Sequence, residues 1–318
     1  MPFSRRSAAS TLLLSSLALA AVTGPVINAN FPDPAMIQVG GTSYAYATNN
    51  IGGAINVQLA TSSDNGTTWA LTSSDALPDV GPWAVTGSTW APDVVQRDDG
   101  TFILYYAAKD PTVTDRLSHC VGAATSTNPK GPFTPQSAPI SCNAAGGGSI
   151  DISGFQDTDG TRYVVYKVDG SALGGGGSCG NANGAYATPI MLQQMEADGV
   201  TPTGNPQQIL DRIESEDGPL VEAPVVILKD GNYVLFYSSH CFNDPAYDIR
   251  YATAPSVAGP YTRKGAIISP GDYGLVSPGG ATPLPSGDFM VFHAQINADP
   301  LTRAMYTATL TWDNPSVA

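Results

Sequence analysis

Short runs of aliphatic, β-branched and aromatic residues, separated by polar or Gly-rich turns, make up most of this chain. Five stretches follow one plan: an apolar run enters an acidic or Gly-rich turn, and a second apolar run leaves it. They begin at Asp33-Pro-Ala-Met-Ile37, Ala91-Pro-Asp-Val-Val95, Phe155-Gln-Asp157, Ala223-Pro-Val-Val-Ile227 and Thr282-Pro-Leu284. Their second runs reach Tyr46, Tyr106, Tyr166, Tyr237 and His293. Two such runs around Asp-Gly or Gly-Gly predict a β-hairpin. The turn glycines stand at 41, 100, 160, 231 and 287, giving intervals of 59, 60, 71 and 56 residues. Second halves repeat too. Leu59-Ala-Thr-Ser62, Ala123-Ala-Thr-Ser126 and Tyr251-Ala-Thr-Ala254 each precede a turn and an aromatic residue, as in Gly131-Pro-Phe133 and Gly259-Pro-Tyr261. Four strands per unit is the content of one propeller blade. No stretch sustains a 3.6-residue apolar period, so helices should be few. The pattern predicts an all-β chain folded as a five-bladed β-propeller. A two-sheet sandwich does not account for a regular interval with internal copies.

The first residues break the pattern. Arg5 and Arg6 precede an apolar run from Thr11 to Val22, and Ala18-Leu-Ala20 offers small residues for cleavage. That order reads as a secretory signal over residues 1–20, and the run falls short of the ~20 residues that span a bilayer. Residues 21–318 are then one domain, secreted and monomeric, with no membrane partner. Export favours disulfides, and four cysteines allow three pairings. Cys179 leaves the second strand of unit three and Cys241 follows the second strand of unit four, so these two should meet. Cys120 and Cys142 flank the outer hairpin of unit two and suit each other. No C-x-x-C or H-x-x-x-H spacing suggests a metal site. Fourteen basic and 27 acidic residues leave a formal net charge of −13. Such a surface repels phosphate backbones and argues against nucleic-acid partners, while a neutral polysaccharide meets no barrier.

The first strand of each blade lines the axis, so charged residues at equivalent ends of several first strands converge. Asp33, Asp151 and Glu222 align to within about one residue of the same depth, where unit two has Trp90 and Ala91 and unit five has Gly279 and Gly280. Crowded carboxylates push their pKa values apart, which acid–base chemistry requires. Other acids read as structural. Asp98, Asp99, Asp157, Asp159 and Asp230 are hairpin-turn residues, and Glu214 and Glu216 lie in a polar loop. His119 and His240 read as loop residues, and His293 as structural.

Phe31-Pro-Asp33-Pro, Trp90-Ala-Pro-Asp93, Ile150-Asp151 with Phe155-Gln-Asp157-Thr-Asp-Gly160, and Glu222-Ala-Pro224 resemble glycoside hydrolase family 43, in order and over nearly the whole chain beyond the signal. The resemblance implies a five-bladed propeller that hydrolyses arabinan, arabinoxylan or xylan, plant cell-wall polysaccharides, with inversion. It also implies Asp33 as general base, Glu222 as general acid and Asp151 as the residue that tunes and orients the acid. Phe31, Trp90, Asp93 and Ile152 become candidates for sugar contact, with core packing an equal account of Phe31 and Trp90. Ile152 stands where the family usually has Pro. Ser277-Pro-Gly-Gly280 lacks a His that many members place near a central ion, so no metal and no cofactor is expected. The expected activity is an exo-acting α-L-arabinofuranosidase, with β-xylosidase or endo-arabinanase as alternatives. A propeller lectin is the alternative outside catalysis; unlike inner-strand residues in different blades favour a single central site.

Overall fold

The computed structural model describes residues 16–175, 179–181, 184–297, 299 and 301–313. Five four-stranded antiparallel sheets are arranged as blades. Blade one holds β2 (Ala35–Val39), β3 (Thr42–Ala47), β4 (Gln58–Ser62) and β5 (Ala70–Leu71). Blade two holds β6 (Thr89–Gln96), β7 (Phe102–Lys109), β8 (His119–Ser126) and β9 (Thr134–Pro135). Blade three holds β10 (Ser149–Gln156), β11 (Arg162–Val168), β12 (Ile190–Met195) and β13 (Gln207–Leu210). Blade four holds β14 (Val221–Lys229), β15 (Asn232–Ser239), β16 (Asp248–Ala254) and β17 (Thr262–Ile268). Among the described residues the only α-helix is the single turn α1 (Glu214–Asp217).

Blade five closes the ring. Its order is β18 (Gly279–Pro283), β19 (Phe289–Gln295), β20 (Arg303–Asp313) and then β1 (Ser16–Ile27), so the start of the chain supplies the outermost strand of the last blade. The repeat pattern did not reveal this strand, which carries no copy of the shared motif. Residues 1–15 of the expected signal lie outside the described residues, whereas Ser16–Leu19 pair with β20 and the register skips Ala20. A chain cut after Ala20 keeps the pairs Ala21↔Thr309, Val22↔Ala308, Thr23↔Thr307 and Ile27↔Met305.

The inner hairpins turn where the motif places them, at Gly100 and Gly231 for example, with φ of 86° and 77° that residues with a Cβ rarely adopt. Middle strands are buried on both faces because each sheet packs against two neighbours. That explains the unbroken apolar run from Phe102 to Ala108 in β7. Accordingly, the core divides into blade junctions. Ile227, Val234 and Phe236 of blade four meet Ala281, Met290 and Phe292 of blade five, and Ile103 and Tyr105 of blade two meet Ile150, Val164 and Tyr166 of blade three. Burying each large side chain contributes about 1.5–3 kcal/mol, so junction packing holds the ring.

Candidate active site

One backbone feature recurs at the start of every inner strand. Asp33, Ala91, Asp151, Ala223 and Gly280 have φ of 53°, 41°, 57°, 52° and 58°. In blades two to five the inner pairing breaks there, between Trp90 and Asp93, Ile150 and Ser153, Glu222 and Val225, and Gly279 and Thr282. A bulge re-aims the side chains beside it, at a cost of about 1–2 kcal/mol for each residue with a Cβ. It also frees a backbone N–H that needs a partner. The neighbouring blade supplies one in four cases. Asp33 N–H donates to His293 Nδ1 at 3.0 Å and Ala91 N–H to Thr48 Oγ1 at 2.9 Å. Ala223 N–H donates to Asp151 Oδ2 at 2.9 Å, and Gly280 N–H to Ser238 Oγ at 3.0 Å. Asp33 and Asp151 therefore occupy the bulge position itself, and Glu222 stands one residue before it.

Asp33, Asp151, Ile152, Asp93 and Gly280 line a narrow channel at the axis. Glu222, almost fully buried, sits beside it behind Ala223. Tyr247, buried at the same end, has its phenol pKa raised by burial first and then by Glu222, Asp33 and Asp151, so all three carboxylates lie within electrostatic reach of one hydroxyl. A larger cavity of about 800 Å³ opens at the other end of the axis, among the hairpin turns, and Asp93, Val225 and Thr282 line both it and the channel at the acid end.

The three carboxylates differ in their surroundings. Burial would raise the pKa of Asp33, but the Arg303 guanidinium outweighs it from 2.8 Å, together with the Thr48 hydroxyl that donates to Oδ2 at 2.6 Å. The result is a carboxyl held below its ordinary range. His293 is pushed down to about 3, by burial and then by Arg303. Its ring is thus neutral and free to accept from the Asp33 backbone. Glu222 and Asp151 go the other way. Burial raises Glu222 against the opposing pull of Lys167, whose Nζ lies 3.1 Å from Oε2. Burial raises Asp151 as well, with repulsion from Glu222 second. One end of the axis thus presents an ionised carboxylate and a buried pair that favours holding a proton.

Sequence reasoning missed Thr48, Arg303, Lys167 and Tyr247. Lys167 left a signal, a lone cation inside the apolar run from Tyr163 to Val168. His293 is buried and accepts from the Asp33 backbone N–H, so its structural role is to hold the bulge beside Asp33. His119 is no loop residue: it opens β8, is fully buried, and stacks on Trp90 with ring centroids 3.7 Å apart. Phe31 is fully buried in the junction of blades five and one, among Ile27, Met36 and Val291, so it offers no face to a sugar. Trp90 is half-buried and does not line the axial channel. Asp93 lies below the acids and accepts from Gly154 N–H at 2.9 Å. Glu214 and Glu216 are exposed on α1, away from the channel. Both expected disulfides are present, Cys120–Cys142 and Cys179–Cys241.

Similarity to known proteins agrees with the fold. The chain is 40% identical over 85 residues to Xylosidase/arabinosidase 43A of Humicola insolens, covering 27% of this chain and 23% of that protein. It is 25% identical over 253 residues to the Extracellular endo-alpha-(1->5)-L-arabinanase 2 of Bacillus subtilis (strain 168), covering 72% of this chain and 49% of that one. The chain thus spans less than half of either relative. Among solved structures, a thermostable family-43 glycoside hydrolase superimposes with a TM-score of 0.73 at 26% identity, over 93% of this chain and 92% of the other. The sequence profile described as Glycosyl hydrolases family 43 matches residues 22–315. Matched across almost its whole length, the chain belongs to glycosyl hydrolase family 43.

Proposed function

We propose that this enzyme is secreted and releases arabinofuranose from arabinan or arabino-oligosaccharides by single displacement, with Asp33 as general base and Glu222 as general acid. The observation that carries the reading is the contrast between these two groups: Asp33 is held ionised by Arg303, and Glu222 is held toward its protonated form by burial. In the reaction Asp33 takes a proton from water as the water oxygen bonds to the anomeric carbon. The glycosidic C–O bond breaks on the opposite face, and Glu222 gives its proton to the leaving oxygen. Asp151 accepts from Ala223 N–H, the peptide that follows Glu222, and so orients the acid, while burial and the Glu222 charge push Asp151 itself up to about 8.

Exo action is supported by the connection between β11 and β12. It leaves blade three at Val168, opposite Ser149, at the acid end of the blade, and Cys179 ties it to Cys241 of blade four. The similarity to an endo-arabinanase supports a second reading, internal cleavage of arabinan. The two disulfides support export. The test is a panel of 4-nitrophenyl pentosides, linear arabinan and xylo-oligosaccharides, with products sized and the first-formed sugar followed by proton NMR. Arabinose alone, released with inverted configuration, is expected. Retained configuration overturns the mechanism, xylose alone overturns the substrate, and oligosaccharide products replace exo with endo action. Glu222→Gln and Asp33→Asn should each lose nearly all activity while remaining folded.

A further inference from the structure

Lys167 lies on β11 between Tyr166 and Val168 and is completely buried. An ammonium in such a place must be paired on every side. Its Nζ is 3.1 Å from Asp169 Oδ1, 3.1 Å from Glu222 Oε2 and 3.3 Å from Ser171 Oγ, so its three donors meet three acceptors. Ser171 in turn donates to Asp169 Oδ1, which fixes the counter-charge. Asp169 alone would neutralise Lys167. The contact with Glu222 is therefore additional, and it is made by the residue to which the proposed mechanism gives the proton.

We propose that Lys167, steadied by Asp169 and Ser171, is a positioning residue that holds Glu222 Oε2 as an acceptor, keeps the transferable proton on Oε1, and sets the pH at which that proton is lost. The inference rests on Glu222 being the general acid. Its chemistry is simple. An ammonium only donates, so the oxygen that it faces cannot carry a proton while the contact persists. Other charged or titratable groups face the same carboxyl: Asp151 from β10, Tyr247 from the connection after β15, Asp169 behind Lys167, and Asp33 across the channel. Burial disfavours the charge on Lys167, yet Asp169, Glu222 and Asp151 together hold its pKa above the ordinary lysine range, so it stays cationic. Lys167 thus stabilises ionised Glu222, and Asp169 weakens that effect.

Two substitutions should therefore move the basic limb of the pH profile of kcat/KM in opposite directions. Asp169→Asn leaves the cation to Glu222 alone and should move the limb to lower pH. Lys167→Met removes the cation and should move it to higher pH. It should also lower kcat by roughly tenfold to a hundredfold on 4-nitrophenyl α-L-arabinofuranoside, or on the xylopyranoside if the panel selects it, because a misaligned general acid forfeits part of its contribution. The loss should be smaller on the 2,4-dinitrophenyl glycoside, which needs little protonation. If Lys167→Met does not fold, Lys167→Met combined with Asp169→Asn removes both charges, and its limb should still lie above the parent's. Limbs that stay in place, or move together, in folded variants overturn the inference. Glu222→Gln, assayed in parallel, separates the two levels. Equal loss on both leaving groups overturns the assignment of the acid itself, whereas selective loss on the poorer one leaves that assignment standing.

Discussion

Thr48 makes the sharpest test of how Asp33 is held. Its hydroxyl donates to Asp33 Oδ2 at 2.6 Å and accepts from Ala91 N–H at 2.9 Å, so one side chain joins the proposed base to the bulge of blade two. Thr48→Val keeps the shape and removes both bonds. A hydrogen bond to a charged group contributes about 1.5–3 kcal/mol, and a buried N–H left without a partner costs about 1–3 kcal/mol. Water can reach Asp33, whose side chain is 20% exposed, so the lower end of each range applies and the expected loss is about 2–3 kcal/mol. For a domain of this size that lowers the melting temperature by roughly 4–6 °C. The effect on activity has a definite sign. The lost bond favoured ionised Asp33, so its pKa rises and the acidic limb of kcat/KM moves to higher pH. Circular dichroism melts at neutral pH and rate profiles across the acid range measure both effects. Thr48→Ser, which keeps the hydroxyl, is the control and should stay near the parent. A Thr48→Val enzyme with unchanged melting temperature and an unmoved acidic limb would refute the reasoning.

Three further outcomes follow from particular contacts. Gly280→Ala must hold a positive φ of 58°, and its Cβ would lie 2.7 Å from His293 Cε1 and 2.8 Å from Nδ1. Because that ring is fixed against Asp33 N–H, a loss of about 2–4 kcal/mol in urea unfolding is expected, and full stability would mean that the ring is free to shift. Asp93 is raised to about 6, chiefly by burial, so stability is lost as pH rises from the unfolded-state value to about 6, the full cost applies above that, and there is none below the unfolded-state value. Asp93→Asn should match the parent at pH 4 and exceed it by about 3 kcal/mol at pH 8; a pH-independent difference in denaturant melts contradicts this. Cys179–Cys241 closes a separation of 62 residues and Cys120–Cys142 one of 22, so replacing each pair by Ser should cost about 4 and about 3 kcal/mol respectively. The reverse order in thermal melts would show that chain entropy is not the dominant cause.

The alternation of apolar runs and Gly-containing turns, repeated five times, was enough to read the blades, because strand periodicity and hairpin chemistry are local properties. The same repeat placed Asp33, Asp151 and Glu222 near one depth, and placed the cysteines so that both disulfides could be paired. The single-residue offset between Asp33 and Glu222 was beyond it, since a bulge is a matter of backbone pairing. So was the burial of Phe31, whose neighbours come from blades five and one. The groups that make the carboxylates unlike each other were also illegible. Arg303 is 270 residues from Asp33, His293 is 260, and Lys167 is 55 from Glu222, and none belongs to the shared motif. Ring closure alone brings them together. Sequence determined where the carboxylates stand along each blade, and tertiary structure decided which of them is held ionised, because pKa depends on burial and on charges delivered by other blades.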